Sequence, residues 1–182
     1  MTVCRTGSLR GFALAAAFAF LASGTRAEQA DAALLSHLPS AKHGLREALE
    51  AVLAEGAEPI SAKLEFEEGR LWLSVYGAKE GLHKCAEKNE LFELKGDATA
   101  EHWQPQREIF SDREHLTRAS AQLTLMQTTN LTLEAALTHA ALPGKSVVYS
   151  AIPSLKDGKT AIVIEALVNG KPVQILVDET TK

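Results

Sequence analysis

His83, Cys85 and Glu87 stand within five residues of one another, and they form the densest local group of side chains able to bind a soft metal or carry redox chemistry. A transition metal needs three or four ligands, and this stretch offers two good ones, so no metal site is expected. Lys84 and Lys88 flank Cys85; neighbouring cations favour a thiolate, which makes Cys85 a candidate reactive thiol or the site of an intermolecular disulfide. The plainer reading is an unpaired thiol on a charged loop, since Cys4 is the other cysteine of the chain. His43 and Glu47 are one helical turn apart and read as a solvated pair. The nucleophile elbow, the paired-histidine zinc motif, the phosphate loop and the dinucleotide fingerprint are all missing from the sequence. No catalytic residue is assigned, no cofactor is expected, and the chain is read as a non-enzyme.

Aromatic side chains offer a different chemistry, that of recognition. In Arg70 to Tyr76, Leu71, Leu73 and Val75 alternate with Trp72, Ser74 and Tyr76. In a strand that alternation puts the aliphatic residues on one face and the aromatics on the other. Trp72 and Tyr76 would then form an exposed aromatic strip suited to a protein partner. Trp103 and Tyr149 read as sheet-surface packing.

These residues need elements to hold them. Leu45, Ala48, Leu49, Val52 and Leu53 have the spacing of one buried helix face, and Leu133, Ala136, Leu137, Ala140 and Ala141 repeat it 88 positions later. Gly56 and Gly144 share that offset as helix exits, and Ser40 and Thr132 stand as candidate caps. Strands follow each helix. Ile60 to Glu67 turns at Glu68-Gly69 into Arg70 to Tyr76; Ser146 to Ile152 leads through Asp157-Gly158 into Thr160 to Val168, and Asn169-Gly170 leads on into Lys171 to Val177. Asp-Gly and Asn-Gly supply the positive φ angles of two-residue hairpin turns. Pro172 places the last strand at an edge or at its own first residue. The first unit inserts the charged stretch Gly77 to Glu90 as a loop or short helix before Leu91 to Lys95. A linking helix is expected over Ser111 to Met126, with Ser111 and Glu114 as a capping box. The fold class is α+β, two repeated units each with a helix on an antiparallel sheet of three to four strands.

At the start of the chain, Arg5 and Arg10 precede the apolar run Phe12 to Ala22, and small and polar residues follow to Ala27. That order is a signal peptide over residues 1–27, too short in its apolar run to span a bilayer. Its removal takes away three basic residues and no acidic one, so that 16 basic face 23 acidic residues and the formal charge moves from -4 to -7. Such a charge argues against a nucleic-acid partner and against adhesion to anionic headgroups, and the short apolar run argues against a stable membrane anchor. The expected destination is the periplasm. The units are bounded as 28–110 and 111–182.

The stretch Leu131 to Gly144, with its Pro143-Gly144 exit, and the closing Val173 to Asp178 with Thr180 resemble the helix, last strand and terminal turn of the PepSY domain family. Gly96 to Glu101 is a looser version in the first unit. The resemblance implies a tandem of extracytoplasmic modules that bind or inhibit a protein or peptide partner such as a peptidase, without a catalytic residue of its own. Two other readings stand beside it: a small metal- or redox-handling protein using His83 and Cys85, and a structural accessory subunit of the envelope.

Overall fold

The computed structural model describes residues 32–181, so the signal-like segment 1–27 lies outside the described residues. Seven strands form one antiparallel sheet, in the order β4-β3-β2-β1-β5-β6-β7. They are β1 (Glu58–Glu67), β2 (Arg70–Ala78), β3 (Leu91–Asp97), β4 (Gln106–Ile109), β5 (Ser146–Lys156), β6 (Lys159–Val168) and β7 (Lys171–Val177). Among the described residues four α-helices accompany them: α1 (Ala32–His37), α2 (Leu45–Ala54), α3 (Arg113–Met126) and α4 (Leu133–His139). The two sheets expected from the sequence are thus one, because β1 and β5 pair with Ala62 opposite Ala151 and Lys63 opposite Ser150. Neither strand could be seen in the sequence to be central, since both carry the intermittent apolar pattern of a half-covered strand.

Alternation along β2 fixes which helix lies on which face. Leu71, Leu73 and Val75 are buried beneath α2, whose own buried residues are Leu45, Ala48, Leu49 and Val52. Across the junction, Ile162, Ile164 and Ala166 of β6 are buried on the same side with Leu133, Ala136 and Leu137 of α4. Phe92 of β3 reaches across to Gly77 there, where a Cβ would come within 2.4 Å of its ring. Glycine at position 77 is therefore what lets that large ring be fully buried. Helix α3 packs on the opposite face through Ala119, Leu123 and Met126. Gln122 on the same helix face accepts a 2.8 Å hydrogen bond from the Ser61 hydroxyl of β1, so each buried polar group satisfies the other.

Helix ends differ from the sequence expectation in three places. Asp112, not Ser111, caps α3, its carboxylate accepting 3.0 Å hydrogen bonds from the backbone N–H groups of Glu114 and His115. An ionised cap also complements the helix dipole, which a serine does not. Ser40 closes a 3-10 turn over Leu38–Ser40 by donating to the His37 carbonyl, and the N-cap of α2 is Gly44 without a side-chain bond. Thr132 does cap α4. Gly56 leaves α2 with φ +69°, whereas the left-handed residue after α4 is Ala141 at φ +45°, not Gly144.

Candidate functional site

The face that carries α3 is only partly covered, and around Trp72 it presents a groove of aromatic and charged side chains. Trp72 lies opposite Glu65 of β1 and Asp97 of β3. Its half-buried ring has Lys95 Nζ at 5.8 Å and Arg70 Cζ at 6.0 Å from its centroid, the outer range of a cation–π contact. Lys95 Nζ donates a 2.8 Å hydrogen bond to Glu67 and stands 3.8 Å from Glu65, which also pairs with Lys63. Burial opposes the Lys95 charge, but the Glu67 hydrogen bond and the charges of Glu65, Glu67 and Glu93 outweigh it, and the ammonium is held above its ordinary pKa. The cation is therefore fixed beside the ring throughout the physiological range.

A groove runs from Trp72 along β3 to β4 and is lined by Glu67, Glu68, Glu93, Lys95, Asp97 and Glu108. Arg107 also borders it, yet its guanidinium is directed to the α2 face, 3.1 Å from Glu55 and 2.8 Å from Glu90 and stacked on Phe92 at 4.0 Å. With Arg107 neutralised there, five acidic side chains share the groove with the single cation of Lys95, which is itself paired with Glu67. Such an arrangement attracts positive charge. The carboxylate of Glu93 is buried and accepts a hydrogen bond from Ser74.

Tyr76 requires a correction. It does share a face with Trp72, as the alternation predicts, but it is only 3% exposed. Helix α3 and the segment leading into it cover it: Phe110 packs edge-on at 4.7 Å, and Arg118 donates to the phenol at 3.5 Å. Burial first, then the Glu93 charge, hold the Tyr76 phenol above its ordinary value. The expected two-residue aromatic strip is thus Trp72 alone, extended by a polar groove that the sequence did not reveal. The groove's five carboxylates are drawn from three strands and a turn, so no local spacing announces them. Trp103 lies against Gly96 of β3, where a Cβ would come within 2.5 Å of its Nε1; that buried indole N–H has no hydrogen-bond partner among the described residues.

The thiol cluster does not gather three ligands about one point. Cys85 precedes a 3-10 turn over Ala86–Lys88 and is half-buried, and among the described residues it forms no disulfide. Glu87 is held below its ordinary pKa by its own backbone hydrogen bond and then by the Cys85 side chain. His83 lies beside Gly81. Among the described residues, no three His, Cys, Asp or Glu side chains converge as a metal site. His43 pairs with Glu47 at 2.8 Å and reaches the Ala100 carbonyl at 3.1 Å, so its ring ties α2 to the turn after β3.

No family model and no curated protein matches the sequence. Among solved structures, the chain is similar to a "putative lipoprotein" from Clostridium difficile 630, at 17% identity over 78% of this chain and 90% of that one, with a TM-score of 0.39. No described helix is long and apolar enough to cross a membrane.

Proposed function

We propose that this chain is a non-catalytic, periplasmic binding protein of two PepSY-like units that recognises an extended, basic segment of a protein or peptide in the groove beside Trp72. The observation that carries the reading is the joining of a half-exposed indole to five carboxylates in a groove lined, among the described residues, by strands and their connecting segments alone. An aromatic surface supplies desolvation energy, and carboxylates around it supply selectivity for Lys or Arg side chains. Export rests on the signal-like order of residues 1–27 and the acidic charge of the remainder. A peptidase is the partner class that the PepSY resemblance implies.

Several relationships support the two-unit reading. The turns Glu68-Gly69 and Asp157-Gly158 have matching φ angles, 52° and 76° against 50° and 77°, at a separation of 89 residues. The bulges at Ile60 and Tyr149 have the same separation. Asp97 accepts hydrogen bonds from the Thr99 N–H and hydroxyl, and Asp178 accepts the same pair from Thr180.

Site-specific photo-crosslinking in living cells tests the recognition surface. A photoreactive residue in place of Trp72 should trap a discrete partner, and one in place of Leu53, exposed at the end of α2 on the other face, should not. Equal trapping at both positions, or at neither, would remove the groove from the account.

A further inference from the structure

We infer that the outer edge of β7 is a self-association site, where a second copy of this chain adds its own β7 antiparallel to the first and the two sheets become continuous. The inference is independent of the Trp72 groove, which lies on β2 and β3, while β7 closes the opposite end of the sheet.

Comparison of the sheet's two ends shows what is missing from this edge. Leu73 pairs with Gly96 as Ile162 pairs with Val177; the first members are 89 residues apart, like the hairpin turns, and the second are 81 apart, like the Asp97 and Asp178 turns. By that register β7 is the counterpart of β3. Strand β4 covers β3 along Phe92 to Lys95, and the positions 81 residues later are Val173 to Leu176. There, among the described residues, β7 pairs with β6 only, leaving one row of backbone groups open.

Edge strands are commonly blunted by shortness or by charge. β4 has both protections, being four residues long with Arg107 and Glu108 at its centre. β7 is seven residues long, its one charge and its proline fall at its first two positions, and Leu176 is 49% exposed. The strand is also complementary to itself. Antiparallel pairing about a two-fold axis at Gln174 sets Val173 against Ile175 and Pro172 against Leu176 in both directions. Gln174 then meets its own copy, whose amide can both donate and accept. Each Lys171 comes opposite Val177 and next to Asp178 of the other copy, so opposite charges meet at both ends.

Sedimentation equilibrium of the purified chain, with charge variants at the axis, tests this assignment. The wild type should form a dimer. Gln174→Lys and Gln174→Glu should each weaken it by at least about tenfold, because like charges would face each other across the axis. An equimolar mixture of the two variants should restore a dimer, a result that misfolding of either could not produce. Amide exchange of residues 173–177 should slow with rising concentration in the wild type only. A monomeric wild type, a dimer indifferent to both substitutions, or a mixture that stays monomeric would overturn the inference.

Discussion

Ala62 of β1 lies directly across from Ala151 of β5 at the centre of the sheet, and these two residues are themselves 89 positions apart, the separation of the hairpin turns on either side. On the proposed two-unit reading these alanines are counterparts, and a residue facing its own counterpart is what a local two-fold axis would require. Such an axis would account for the sheet order, in which β3-β2-β1 and β5-β6-β7 run outward from the junction. Both alanines are buried on the face that carries α2 and α4, so small side chains let the helices of the two halves approach the same stretch of sheet.

Enlarging either alanine should therefore separate helix from sheet. Ala62→Leu and Ala151→Leu should each cost about 1–3 kcal/mol. Because the two sites touch, the double variant should depart from the sum of the single ones. Urea unfolding of the three variants measures both quantities.

On β2, neighbouring residues should behave oppositely. Leu73 is fully buried beneath α2, and Leu73→Ala should cost about 2–5 kcal/mol through the cavity it leaves. Trp72 has a half-open ring on the other face, and Trp72→Ser should lower the denaturation midpoint much less than Leu73→Ala. Should Trp72→Ser be the more damaging of the two, the open groove would have to be core.

Acid should loosen the turns that close both halves. Hydrogen bonds from the Thr99 side chain and backbone hold Asp97 below its ordinary value of 3.8, and those from Thr180 do the same for Asp178. Depressed carboxylate values mean that this stabilisation is complete above 3.8 and is lost as pH falls through the folded values. The amide oxygen of asparagine can accept the same bonds without titrating. Asp97→Asn with Asp178→Asn should accordingly flatten the fall in stability as pH drops below 3.8, read from thermal melts across the acid range.

Local periodicity made much of this architecture legible. The face of α2 from Leu45 to Val52, the alternation of Leu71, Leu73 and Val75, and the Asp157-Gly158 and Asn169-Gly170 turns all lie where short-range patterns put them. The pairing of β1 with β5 was not legible, since a contact between residues 89 apart leaves no mark on either strand's own pattern. Strand β4 escaped notice because three of its four residues are polar and all four are exposed, and their strand state comes from pairing with β3. For the same reason Tyr76 was misplaced: the period of two assigns its face correctly, but only the path of α3 determines that this face is covered there. The groove's acidic side chains are gathered from β1, β3, β4 and the turn between β1 and β2, a convergence that tertiary structure alone creates.

Recognition of a basic segment beside Trp72 is tested most directly by fluorescence titration. Trp72 and Trp103 are the chain's two tryptophans, so Trp103→Phe leaves Trp72 as the single reporter. Titrating this variant with an extended peptide of alternating lysine and valine should give a saturable shift in Trp72 emission. Added salt should weaken the response, and so should Glu67→Gln combined with Glu108→Gln. An emission spectrum that does not change with the peptide, or a response unaffected by salt and by removal of both carboxylates, would contradict the account.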